Sequence, residues 1–313
     1  MKKTHIAFAA SAVITLGLSG CSSLASTPDN SSDGKLQVSA SFYPIAWLTE
    51  QIGGDAVDVT LITPGNVEPH DFELSPKDIA KLEDADTIIY VPDFQPSLDD
   101  AVALISGPTI LDLTSTVDLV PLSEDTDGNH SVASEEESAD GHSTTDPHFW
   151  LDPHRMEAAA GAIEKQLATS DPENADLFAA NLSTVQTSLS DLDDSLAAGL
   201  QTCERRTIVA SHSAFGYFAD RYDLEQVSIS GIDPESEPSP ANLAAMKKVI
   251  ESTGSTTVFT EELVSSKTAD ALATETGATT KVLNTLEAQP EDGDYVSAMT
   301  DNLSALRTAL DCQ

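Results

Sequence analysis

Three histidines stand in frames that could hold an imidazole still. His70 lies in Pro64-Gly-Asn-Val-Glu-Pro-His-Asp-Phe-Glu73. His148 lies in Asp146-Pro-His-Phe-Trp-Leu-Asp-Pro153, between two prolines and beside apolar Phe149, Trp150 and Leu151. His212 lies in Val209-Ala-Ser-His-Ser-Ala-Phe-Gly216, directly after an apolar run. Three neutral imidazoles form a borderline-soft nitrogen set that suits zinc, and also copper or nickel, with a carboxylate or water as fourth ligand. A single histidine is more often a structural or surface side chain. Three of seven in rigid, apolar frames shift that balance, but spacing alone leaves both readings open. Of the others, His5 lies near the N-terminus, His130 and His142 lie in an acidic stretch, and His154 follows Pro153 at a helix start, where it reads as a surface or capping residue.

The elements that would position these side chains alternate between strand and helix. Residues 35–40 alternate like a strand, and Pro44 opens a helix that Gly53 and Gly54 end. Val57 to Ile62 is a second strand running into the His70 segment. Ser75, Pro76 and Asp78 read as N-cap, N1 and N3 of the next helix. Further strands are expected at 87–91 and 110–113, with a helix at 97–105 between them. Residues 155–166 form an Ala-rich helix, and Asp171-Pro172 reads as the start of another. From there Phe178, Leu182, Val185, Leu189, Leu192, Leu196 and Leu200 recur every three or four residues. Such a helix is roughly 40 Å long at 1.5 Å per residue, and it reads as a rigid strut between two lobes, with a hairpin partner inside one lobe as the other possibility. After it the plan repeats: strands at 206–210, 226–229, 256–259 and 280–283, alternating with helices, and a closing helix at 295–310. The expected fold is α/β: two lobes, each a parallel-type sheet flanked by helices, joined by one long helix. Ligands in such sheets bind beyond the carboxyl ends of the strands.

Composition narrows the partners. The 313 residues carry 52 Asp and Glu against 15 Lys and Arg, a net charge of -37. Nucleic acid and anionic membrane surfaces repel such a chain, whereas cations, or a high-salt setting, suit it. Lys2 and Lys3 followed by the apolar Ile6–Leu18 stretch read as a targeting segment, too short for a stable span. It ends in Leu18-Ser-Gly-Cys21, which resembles a bacterial lipobox, in which the cysteine is lipidated; an ordinary secretory signal is the alternative. Residues 1–21 are thus a signal, and 22–34 a flexible polar tether. Outside the cytosol the remaining pair, Cys203 and Cys312, favours a disulfide over two buried thiols.

Residues 121–146 break the α/β pattern. They are acidic, nearly devoid of apolar residues, and cannot bury a core, so they read as a mobile loop. As a plain insertion, a lid or a weak cation trap, the loop would place His130 and His142 as accessory metal-capturing residues. The divisions expected are 35–165 as a first lobe containing this loop, 166–201 as the linking helix and 202–313 as a second lobe.

Six segments carry a resemblance: PGNVEPHDFE at 64–73, DPHFWLDP at 146–153, SHSAFGYFA at 211–219, GIDPESEPSP at 231–240, FTEELVSSK at 259–267 and VLNTLE at 282–287. With them the chain resembles the zinc- and manganese-binding lipoproteins of bacterial ABC importers over nearly all of residues 36–312. The resemblance implies two α/β lobes joined by a long helix, with the metal between them. It implies His70 and His148 as ligands from the first lobe and His212 from the second. It places the fourth ligand, a carboxylate, at Glu287, where manganese-binding relatives have Asp; water is the alternative. Those relatives carry Glu at the third position, so His212 favours zinc. Glu262 is read as structural. The acidic loop departs from the His-rich tracts of many zinc-binding relatives.

The function so implied is an extracytoplasmic, lipid-anchored Zn2+ receptor, monomeric, that delivers its ion to a membrane permease with an ATPase subunit. A manganese or iron receptor and an adhesin with a structural metal are the alternatives. A zinc hydrolase fits poorly: His-Glu-x-x-His is absent, no general base is evident, and no enzyme is expected. Because imidazoles bind metal in their neutral form, affinity is expected to fall below about pH 6.5. A rigid strut would also limit lobe closure, leaving release to loop movement or slight tilting.

Overall fold

The computed structural model describes residues 34–120 and 145–313. The expected signal, the expected lipidation site Cys21, the expected tether up to residue 33, and most of the acidic segment with His130 and His142 lie outside the described residues.

Two parallel four-stranded sheets organise the chain. In the first, β1 (Leu36–Ala40), β2 (Val57–Leu61), β3 (Thr87–Tyr90) and β4 (Thr109–Asp112) lie in the order β2-β1-β3-β4. In the second, β5 (Thr207–Ala210), β6 (Glu225–Ser228), β7 (Thr257–Thr260) and β8 (Thr279–Val282) repeat that order as β6-β5-β7-β8. Burial follows position in the sheet: β5 and β7 are buried throughout, whereas the edge strands β4 and β8 are largely exposed. That is why TIVA and TVFT read as apolar runs and TTKV does not. Ala40 pairs with both Leu61 and Ile89, and Ala210 with both Ser228 and Phe259. The C-terminal ends of three strands are therefore level in each sheet, and the loops that follow them share one rim.

The helices are α1 (Tyr43–Gly53), α2 (Pro76–Glu83), α3 (Pro96–Leu104), α4 (Pro153–Ser170), α5 (Ala175–Leu200), α6 (Gly216–Arg221), α7 (Pro240–Thr253), α8 (Lys267–Thr276) and α9 (Tyr295–Leu310). Several carry a proline at the first or second position, where its missing N–H would be unbonded anyway. The expected cap on α2 is a reciprocal capping box between Ser75 and Asp78.

The linking helix differs in its start. Residues up to Ser170 are the last turn of α4, not part of a helix beginning at 166. Pro172 cannot continue α4, and it forces Asp171 off the helical region (φ -133°, ψ 80°). Pro172–Asn174 form a 3-10 turn, and α5 then runs for 26 residues, about 39 Å. Its stripe of Phe178, Val185, Leu189, Leu192, Leu196 and Leu200 is buried, and α5 packs against α1 and α4 of the first half and α9 of the second.

The two halves share one core. The main apolar cluster runs from Val38 and Phe42 through Phe149, Trp150 and Leu151, along α4 and α5, to Ile208, Phe215, Tyr295 and Leu310. The outer faces of the sheets carry smaller clusters: Ile62, Leu82, Ile88 and Leu98 under α2 and α3, and Val209, Val227, Val258 and Met246 under α7 and α8. Neighbouring residues divide between the faces as a strand requires, Ile89 inward and Ile88 outward, Ile208 inward and Val209 outward. No helix among the described residues is long and apolar enough to cross a membrane.

Cys203 and Cys312 form a disulfide across a sequence separation of 109, joining the ends of α5 and α9. A crosslink over so long a loop acts mainly on the unfolded chain. Replacing both cysteines by serine is expected to lower the unfolding free energy by roughly 2–4 kcal/mol with native helix content retained, measured by urea denaturation without reductant. An unchanged midpoint would show that the bond adds nothing.

Candidate metal centre

His70 sits in a loop beyond β2 that is held by Glu68 from within and by Phe94 and Gln95 from the start of α3. Glu68 accepts from the backbone N–H of His70 (3.1 Å) and of Asp71 (3.2 Å). Gln95 donates from Nε2 to the carbonyl of Pro69 (3.2 Å) and to Thr63 Oγ1 (2.7 Å). The Phe94 ring meets the His70 ring edge-on at 4.6 Å.

His148 precedes a fully buried 3-10 turn, Phe149–Leu151. Trp150 anchors that turn to the other half of the chain: its Nε1 donates to the carbonyl of Thr285 (2.8 Å), and Tyr295 donates from its hydroxyl to the carbonyl of Trp150 (2.6 Å). His212 follows β5 directly. Glu287 follows β8 and is placed by an unusual backbone. Leu286, fully buried, has φ +58°, a left-handed conformation that costs a non-glycine residue on the order of 1–2 kcal/mol. Asn284 Oδ1 accepts from the Leu286 N–H (2.7 Å), and Asn302 pairs with both backbone groups of Asn284 (2.8 and 2.7 Å). Burial of Leu286 and these bonds hold the strained turn in place.

The four side chains converge. Nε2 of His148 lies 3.3 Å from Nε2 of His70 and 3.4 Å from Nε2 of His212. Glu287 Oε1 lies 3.6 Å from His70 Nε2 and 3.4 Å from each of the other two. The opposite ring nitrogens explain the direction. Asp146 Oδ1 accepts from His148 Nδ1 (2.8 Å), and Glu261 Oε1 from His212 Nδ1 (2.7 Å). With Nδ1 donating to a carboxylate, each Nε2 faces the same point and offers a lone pair there once it has lost its own proton. Glu287 is 3% exposed, and its Oε1 has no hydrogen-bond partner among the described residues. A buried carboxylate oxygen facing converging lone pairs is a site for a cation.

Electrostatics agrees with this geometry. Burial disfavours ionisation of Glu287, but the three imidazoles outweigh it and hold its carboxyl well below the ordinary range. Burial lowers His70. Burial also opposes the charged form of His212, yet Glu261 and Glu287 together carry it well above the ordinary histidine value. His148 is raised against burial by Asp146 and Glu287. Glu68 is pushed up to about 8, by burial first and then by Glu287.

All four residues expected from the sequence are thus brought together. His154 is exposed and pairs loosely with Glu157 (3.8 Å), as a surface residue does. Glu262 is exposed. The carboxylate that matters is its neighbour Glu261, which the sequence reading passed over along with Asp146. The signal for Glu261 lay in topology: β5 and β7 are adjacent, so the residue after β7 stands beside the residues after β5.

The family described as zinc-uptake complex component A, periplasmic, matches residues 38–309, a span that includes both sheets and the four converging side chains. The chain belongs to this family. The high-affinity zinc uptake system protein ZnuA of Bacillus subtilis is 36% identical over 300 residues, 93% of this chain and 92% of that one. The zinc-binding lipoprotein AdcA of Streptococcus pneumoniae is 33% identical over 320 residues, and the chain spans 62% of that longer relative. Among solved structures of the zinc-uptake type, the Zn(II)-bound ZnuA-like domain of the pneumococcal AdcA has TM-score 0.73 at 31% identity, covering 89% of this chain and 100% of that domain. The laminin-binding adhesin Lmb of Streptococcus agalactiae has TM-score 0.78 at 29% identity, covering 88% and 99%.

For this member of the zinc-uptake family, the proton balance follows from the shifts. A histidine raised above its ordinary value holds its proton at neutral pH, and a metal must displace it. Apparent zinc affinity is therefore expected to keep rising as pH climbs through about 6.5 toward 8, with protons released on binding. Calorimetric titrations in buffers of different ionisation heat measure that release. Affinity that is flat over this range, with no proton released, would show His212 to be already neutral.

Proposed function

We propose that the chain is the extracytoplasmic zinc receptor of an ABC importer, and that His70, His148, His212 and Glu287 take the ion as cargo. The observation that carries this reading is the spacing of the donor atoms. In a tetrahedral zinc site with bonds of about 2.0–2.1 Å, ligand atoms stand about 3.3–3.4 Å apart. Five of the six separations here are 3.3 to 3.6 Å, and all four atoms lie within 4.8 Å of one another, so an ion can enter with modest rearrangement. Three imidazoles and one carboxylate favour zinc over manganese or iron, which prefer more oxygen donors. Four protein donors leave no open position for an activated water, which fits binding and delivery rather than hydrolysis.

Family membership carries the partner class: a membrane permease with its ATPase. The finer assignments belong to the same proposal. Cys21 is the lipidated residue and the mature N-terminus, residues 1–20 are removed, and 22–34 tether a monomer to the outer face of the cell membrane. Residues 35–165 and 202–313 act as lobes on either side of the linking helix. His130 and His142 are accessory capture residues.

A second reading rests on the likeness to Lmb, described as a bifunctional protein with adhesin and metal-transporting activity: a surface protein for which the metal is structural. One experiment addresses both. Metal-free protein is titrated with zinc against manganese, as wild type and as His212→Glu. Zinc preference in the wild type, lost in the variant, with protein that stays folded after chelation and rebinds, is the expected result. Equal or stronger manganese binding would overturn the zinc assignment. Unfolding on chelation would favour the structural-metal reading.

A further inference from the structure

Tyr217 lies on α6, a short way past His212, and its hydroxyl serves the other half of the chain. The side chain is 5% exposed. Its hydroxyl donates to the backbone carbonyl of Asp146 (2.7 Å) and accepts from the backbone N–H of Val120 (2.8 Å). The N–H of Asp146 in turn donates to the carbonyl of Val120 (3.1 Å). One phenol oxygen therefore joins Val120 and Asp146, residues far apart in sequence but side by side in space. The ring itself is fixed from the side by Arg155, whose guanidinium lies 4.4 Å from the ring centroid and also donates to the carbonyls of Val117 and Asp118.

Asp146 is the residue that aims His148. A single carboxylate oxygen accepts both the backbone N–H of His148 (3.0 Å) and its ring Nδ1 (2.8 Å). A carboxylate can hold a ring in one orientation only if its own backbone is fixed. Pro147 stiffens the peptide on one side. On the other, the bonds to Asp146 come from Val120 and from Tyr217.

We infer that Tyr217 is a positioning residue for metal capture: it fixes the Asp146 backbone, and through the Asp146 carboxylate it points His148 Nε2 at the site. The inference rests on the reading of His148 as a zinc ligand. It ties the two halves together by a polar route distinct from the Trp150 contacts, because α6 continues from the segment that carries His212. The His212 element thus sets the orientation of His148.

Tyr217→Phe tests this. The change keeps the ring, its burial and the Arg155 contact, and it removes only the oxygen. Tyr222→Phe is the control: that hydroxyl is also buried and donates to Asp193 (2.8 Å), but it has no link to His148. The full-length protein is measured in three ways: zinc affinity by competition, zinc release by stopped flow into chelator, and the visible absorption of bound Co2+, which reports ligand geometry.

In Tyr217→Phe, zinc is expected to bind about tenfold more weakly, the usual scale for losing a group that orients a metal ligand. Release should be faster and the Co2+ band altered. Tyr222→Phe should keep the wild-type affinity and band, whatever it does to thermal stability. Wild-type affinity and an unaltered band in Tyr217→Phe would overturn the inference, as would a lowered thermal midpoint as its only change. Equal metal effects in both variants would overturn it too, by making the effect one of general destabilisation. Failure of the wild type to bind zinc or Co2+ would instead overturn the receptor reading itself.

Discussion

The structure depends on a carboxylate that has been taken out of water with one oxygen lacking a hydrogen bond among the described residues. Glu287 Oε1 is surrounded by three imidazole nitrogens at 3.4 to 3.6 Å, and in the metal-free protein only shared protons can balance its charge. Moving an ionised carboxylate into such a place is unfavourable by several kcal/mol unless partners compensate. Two further carboxylates, Asp146 and Glu261, stand behind the imidazoles. The assembly has an excess of negative charge that one divalent cation would largely neutralise. Stability and ion capture thus draw on the same charges.

Holding such a cluster requires that its parts not relax apart, and the fold provides this in two ways. The level strand ends of the two sheets put His70, His212, Glu261 and Glu287 on facing rims. The shared core behind the rims, with Trp150 hydrogen-bonded to Thr285 and Tyr295, and α5 packed against both halves, joins them. A cleft opened by swinging one half would have to break this packing, and close-packed interiors resist such continuous deformation. The strained Leu286 turn belongs to the same logic. Its left-handed backbone is held by the burial of the side chain in that core and by the Asn284 and Asn302 hydrogen bonds.

Much of this was legible in the sequence, for physical reasons that can be named. The central strands β3, β5 and β7 were visible because parallel strands buried on both faces read as short apolar runs, β1 and β2 because they alternate, and α5 because its stripe repeats without a break. His70, His148 and His212 stood out through rigid frames; Glu287 did not, and it came only through resemblance to a family. The start of α5 was misplaced because Asp171-Pro172 has the residue types of an N-cap and N1, whereas in the structure it serves a 3-10 turn first. Glu261, Asp146 and Tyr217 were missed for a different reason. Each acts through a neighbour distant in sequence, Glu261 across adjacent strands and Tyr217 across the two halves. No local pattern encodes a contact made only when two strand ends become neighbours.

This distribution bears on how an ion leaves so tight a site. The elements that hold the four side chains differ in their ties to the core. His148 and Glu287 are joined through Trp150, Thr285 and Tyr295, all inside the apolar cluster or against it. His70 is held by Glu68 of its own loop and by Phe94 and Gln95 at the start of α3, but its side chain is 9% exposed against 0% for His148 and His212 and 3% for Glu287, and residues 64–66, 71 and 73 around it are exposed. Local opening draws on the segments with the fewest buried apolar contacts. A ligand whose loop can exchange its hydrogen bonds for water is therefore the first to give way, and on this ground the His70 loop is the point at which the site would open while the frame of both sheets stays packed.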